Sequence, residues 1–142
     1  MKLKTLKIVA LLTGFLAMCS SSLFAHHGAA AYDMTKPVVL KGATVTKYSW
    51  INPHALIFLD AKDENGAVKH WTIETGSPIA IALVGWTRNT FKTGEVVTIY
   101  LYQAKTGLPV GRLNKVEFAD GTVLRDTQVG GDNGERSDDG VR

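Results

Sequence analysis

The chain has almost no cysteine. Its one thiol, Cys19, lies within the first 25 of 142 residues. Everything after residue 25 therefore lacks a disulfide framework, a thiolate metal site and a cysteine nucleophile. An excess of one charge is missing there too. The formal net charge is +3, and Lys2, Lys4 and Lys7 account for it, because residues 1–25 contain no acid. The remainder balances 13 basic against 13 acidic residues. A neutral domain lacks the electrostatic footprint of a nucleic-acid binder. No apolar run reaches the roughly 20 residues that span a bilayer. The signatures of common catalysts are absent as well: no G-x-S-x-G elbow, no H-E-x-x-H pair and no phosphate-cradling glycine loop. A His54–Asp33 acid–base pair is chemically conceivable, but nothing in the spacing demands it. The expectation is a binding protein rather than an enzyme.

What is present first is an export signal. Lys2, Lys4 and Lys7 form a positive n-region. Ile8 to Met18 is mostly apolar, and Ser20 to Ala25 gives a small-residue exit. Residues 1–25 read as a cleaved signal peptide, giving a periplasmic or secreted protein with no membrane anchor after cleavage. Lipoprotein processing at Cys19 competes with this, although Met18 is large for the position before a lipidated cysteine. Cleavage after Ala25 makes His26 the new N-terminus.

The mature chain (residues 26–142) divides into three. Residues 26–36 show neither strand nor helix period and read as an extended arm. Residues 37–125 read as one domain. Strand candidates are Val38–Tyr48 with a bend at Gly42, His54–Asp60, and Val68–Glu74 after an Asn65-Gly66 hairpin turn. A short helix follows over Pro78–Val84, with Ser77 as cap, Pro78 in its first turn and Gly85 at its end. Val96–Tyr102, Leu113–Phe118 and Thr122–Arg125 are further strands. From Asp126 hydrophobicity collapses, and residues 126–142 read as a disordered tail. Three strands, a helix and two or three strands is the order of an OB-like small β-barrel of five to six strands, with an open α+β sandwich as the alternative. Leu56, Phe58, Trp71, Ile73, Ile99, Leu101, Val116 and Phe118 are the expected core.

All four histidines lie after residue 25. His26-His27 would put a free amine and imidazole nitrogens at the mature N-terminus. Such an end can chelate a metal, copper(II) first, since that ion heads the divalent affinity order and accepts nitrogen ligands. A mobile polar end with solvated histidines is the competing reading. His54 begins a strand after the Trp50-Ile51-Asn52-Pro53 turn, where an OB-like fold often binds ligands; a rim-capping histidine is its alternative. With Asn65-Gly66 as the central turn residues, His70 pairs with Ala61, far from His54, and belongs to the solvent face. Trp50 reads as a lid or a stacking surface beside His54. Tyr32 and Asp33 can supply oxygen ligands to a metal held by the arm, or dock the arm itself.

Together, His26-His27-Gly28 with Tyr32-Asp33, Trp50-x-Asn52-Pro53-His54, Gly85-Trp86 and Lys92-x-Gly94-Glu95 resemble a family of small exported bacterial proteins of unknown function. The resemblance covers about residues 25–125. It implies an exported, β-rich bacterial protein and brings no activity with it. Two functions remain in view. One is a periplasmic metal-binding protein, copper first, using His26, His27 and His54. The other is a metal-free OB-like module for a small ligand or a periplasmic partner protein.

Overall fold

A computed structural model describes residues 29–127. The segment read as a signal peptide, the His26-His27 pair and residues 128–142 lie outside the described residues. A 3-10 turn, Ala29–Ala31, precedes strand β1 (Tyr32–Ser49). Next come β2 (Leu56–Lys62), β3 (Val68–Glu74), helix α1 (Pro78–Ala82), β4 (Val96–Ala104), β5 (Val110–Phe118) and β6 (Val123–Arg125). The order is the expected one, and β1 reaches back through residues assigned to the arm.

One pairing decides the architecture. β1 lies antiparallel to both β2 and β4, β2 to β3, and β4 to β5. The start of β5 then pairs in parallel with the end of β3, matching Thr72 with Val110 and Glu74 with Arg112. Strands β1, β2, β3, β5 and β4 thus make a ring, and β6 extends the sheet beyond the other end of β5. β1 serves two neighbours because it bends. Gly42 has φ +64°, and the register against β4 shifts between Leu40 and Ala43. A left-handed residue at a bulge is natural for glycine. Beyond the bend, Thr44 pairs with Val96 on one side and Asp60 on the other.

Helix α1 forms as its sequence dictates. The Ser77 side chain accepts a hydrogen bond from Ala80 N at 3.3 Å, and Pro78 occupies the first turn. Ile81 is fully buried, while Ile79 and Leu83 face solvent.

Two sequence expectations are corrected. The β2–β3 turn is not a two-residue Asn-Gly turn. Such a type I′ turn needs positive φ at both central residues, but only Gly66 has it, at +80°. The Asp63 carboxylate instead accepts from Asn65 N and Ala67 N, and Asp63 N donates to Ala67 O. The longer turn moves the register by one, so His70 pairs with Asp60 rather than Ala61. His70 is still on the solvent face, its Nδ1 2.6 Å from Asp60 Oδ1.

The second correction concerns the buried face of β2. Ile57, Leu59 and Ala61 enter the core, not Leu56 and Phe58. Asp60 and Lys62 share the parity of Leu56 and Phe58, and charged side chains belong outside. Lys47 Nζ covers the Phe58 ring at 5.5 Å from its centroid. Trp71, Ile73, Ile99, Leu101 and Val116 are buried as expected, and Phe118 packs half-buried against them.

Candidate functional site

Strand alternation puts Glu74 on the outer face of β3, opposite Trp71 and Ile73. Three other elements converge on it there. Arg112, at the parallel seam, gives its Nη1 to Glu74 Oε1 at 2.9 Å. Tyr32, at the start of β1, donates its hydroxyl to Glu74 Oε2 at 3.1 Å. His54, from the β1–β2 loop, brings Nε2 to 3.5 Å from Glu74 Oε1. On its other side Arg112 Nη2 lies 3.2 Å from Asp126 Oδ2, and Asp126 Oδ1 accepts from Gly76 N at 3.1 Å. Tyr32 and Arg112 are only 6% and 5% exposed, whereas the His54 side chain keeps 35% of its surface. The cluster is therefore a buried polar base with an imidazole at its accessible edge.

The His54 ring is fixed by backbone. Its Nδ1 is 3.0 Å from Thr75 O. A carbonyl only accepts, so Nδ1 carries the proton, and in the neutral ring the Nε2 lone pair is bare. Thr75 is itself held, its hydroxyl donating to Ala55 O at 3.1 Å.

Of the residues singled out in the sequence, Tyr32 and His54 meet at this site through Glu74. Asp33 does not. It points to the opposite side of β1 and accepts from Thr35 N and Thr35 Oγ1, bonds that hold its carboxyl below the usual range. Trp50 packs half-buried against the core with its ring edge-on to Tyr48, centroids 6.0 Å apart. His26 and His27 lie outside the described residues. Among the described residues no group of three or more His, Cys, Asp or Glu could hold a metal ion. Glu74, Arg112, Thr75 and Asp126 were not legible as site residues. Asp126, placed in the tail by composition, is buried, and its backbone N donates to Asn114 O. The β3–β5 pairing joins segments 38 residues apart and brings Glu74 to Arg112, while Asp126, just after β6, reaches Arg112 from its other side.

Burial, and next the adjacent Glu74 carboxylate, push the Tyr32 phenol up to about 12. An unfolded tyrosine ionises near 10. Between those values the unfolded chain holds fewer protons than the folded one, so stability falls as pH rises. Tyr48, also raised by burial, adds to the fall. Urea denaturation between about pH 8 and about pH 11 should show a shallower alkaline loss in Tyr32→Phe than in wild type. An unchanged slope would mean that the hydroxyl is not held against Glu74.

The chain belongs to a family of unknown function, DUF6152, whose model matches residues 14–113. The match takes in His26, His27, Tyr32, His54, Glu74 and Arg112 and stops before Asp126. No curated protein and no solved structure matches the chain.

Proposed function

We propose that this family member is an exported, periplasmic metal-binding protein, copper(II) being the first ion to test, with His26, His27 and His54 as ligands. The observation that supports this reading is the position of Tyr32. Its hydroxyl shares the Glu74 carboxylate with His54 Nε2, so the chain end that carries both other histidines starts beside His54. His27 is five residues and His26 six residues before Tyr32. At ~3.3 Å per residue both are within about 20 Å of that anchor, so reach does not limit the site. If the chain is cut after Ala25, the free amine of His26 adds a further nitrogen donor.

A metal-free binding module is the second reading. It is favoured by an open groove of about 360 Å³ whose lining includes Val38, Leu40, Lys62, Asp63, Lys69 and Trp71, a volume within the range of small-ligand sites. None of the site residues above lines it.

The test is intact mass of the exported protein, followed by Cu(II) titration read from the d–d absorption band. The expected result is a chain starting at His26 that saturates near one equivalent. His26→Ala should bind at least about tenfold more weakly and His70→Ala like wild type. Equal affinity in His26→Ala and wild type would favour the metal-free module. A chain starting at a lipidated Cys19 would remove the amine ligand and leave side chains alone.

A further inference from the structure

We propose that the end of the strand ring carrying α1 docks on a membrane, its ligand being a bilayer surface rich in anionic phospholipid. The segment Pro78 to Val84 holds no charged or polar side chain. Only Pro78 and Ile81 of the helix turn inward. Ile79 and Leu83 face solvent, 75% and 84% exposed, and Val84 is exposed beside them. A surface helix normally turns a polar face outward, and one apolar all round belongs in a core or against lipid. The β1–β2 loop adds Ile51, 55% exposed. That loop is tied to the start of α1, because Ala55 N donates to Gly76 O and Thr75 N to Ala55 O.

Exposed apolar clusters mark contacts with a protein or with a membrane, and two observations favour the membrane. One is projection. Ile79 and Leu83 lie one helical turn apart and keep three quarters or more of their surface. They form a convex tip. A protein interface needs a complementary surface packed as densely as an interior, whereas a bilayer accepts protruding apolar side chains at its headgroup boundary. The other is charge. A turn closed by Thr90 N donating to Thr87 O carries Arg88, and Lys92 follows it. Trp86 and Phe91 flank these cations and are buried, ring centroids 5.8 Å apart, which holds Arg88 and Lys92 at the same end. Among the described residues no ion pair engages either side chain. The nearby acids are already occupied: Glu95 accepts from Lys92 N, and Glu74 and Asp126 share Arg112. Cations beside apolar side chains suit anionic headgroups. A second copy would instead bring two cationic rims together. Among the described residues no helix is long and apolar enough to cross a membrane, so the contact is with the surface of the bilayer. It is independent of the metal-binding reading.

The test is flotation of the exported protein with vesicles of phosphatidylcholine alone, or of phosphatidylcholine and phosphatidylglycerol in equal parts. Wild type should float with the mixed vesicles and far less with phosphatidylcholine. Ile79→Ser combined with Leu83→Ser should lower partitioning at least about tenfold. Arg88→Gln and Lys92→Gln should each lower it about fivefold. All of these side chains are exposed, so unfolding midpoints should stay near that of wild type. Without lipidation at Cys19, wild type that avoids both vesicles, or variants that float like it, overturn the proposal. A lipidated chain floats through its acyl groups, so the reading there is local. An environment-sensitive fluorophore attached through Leu83→Cys should shift to the blue with mixed vesicles. The same fluorophore attached through Val68→Cys, beside the hairpin at the far end, should not. Equal shifts at both positions, or none at Leu83→Cys, overturn the proposal. So does a wild type that dimerises without lipid while the Ile79→Ser, Leu83→Ser variant stays monomeric, which would give this face to a second copy.

Discussion

Arg112→Met should lower the free energy of unfolding by about 3–5 kcal/mol, the usual cost of removing one partner from a buried ionic network. Arg112 is nearly inaccessible, and its two nitrogens separately engage Glu74 at 2.9 Å and Asp126 at 3.2 Å. The Asp126 side chain is fully buried. Methionine fills most of the volume, so what remains is mainly two carboxylates facing each other without the guanidinium between them. The place matters as much as the charge. Arg112 pairs with Glu74 across the parallel seam between β3 and β5, the contact that closes the ring. Repulsion there also frees the end of β6, since Asp126 follows directly after it. Arg112→Lys keeps the charge but has one nitrogen for two carboxylates, so its loss should be intermediate. Chemical denaturation followed by tryptophan fluorescence reads both variants. Trp86 is a suitable reporter because it is buried and its Nε1 donates to Arg125 O at 2.9 Å, beside Asp126. A loss under about 1 kcal/mol for Arg112→Met would show that the guanidinium is not shielded from water.

The legible and illegible parts of this chain differ by range. Local chemistry announced the Ser77-Pro78 helix start, the Gly42 bend and the strand order, because each depends on residues a few positions apart. The same local reading located His54 and Tyr32 as notable residues. It could not join them, since their link is Glu74, 20 residues from one and 42 from the other. Arg112 and Asp126 were invisible for a related reason. A single arginine in a strand and a single aspartate at the edge of a polar tail look solvated until the β3–β5 seam covers them. Asn65-Gly66 misled because that dipeptide serves two hairpin geometries, and Asp63 decides between them by accepting two backbone N–H groups.

The β2 face gives the last large effect. Ile57→Ala should cost about 2–5 kcal/mol, whereas Phe58→Ala should cost less, about 1–2 kcal/mol, despite deleting the larger side chain. Ile57 has no exposed surface and belongs to the core cluster, so its deletion leaves a cavity. Phe58 is half-buried on the outer face under Lys47, so its removal opens no enclosed cavity and forfeits the partial burial of the ring together with that cation–π contact, itself worth roughly 0.5–1 kcal/mol. The apolar run Ala55 to Leu59 fits either parity, so its own hydrophobicity does not decide between them; Asp60 and Lys62 do. The same parity governs the site. Hydrogen bonds from Ala55 N to Gly76 O and from Thr75 N to Ala55 O continue the β2–β3 ladder to the loop. Ala55 and Thr75 are fully buried there, so the even-numbered His54 and Glu74 fall together on the outer face. Had Leu56 and Phe58 turned inward, His54 would have turned inward with them, away from Glu74. Denaturation midpoints of the two variants thus test the β2 register and the placement of His54 together. A costlier Phe58→Ala would remove the basis for pairing His54 with Glu74.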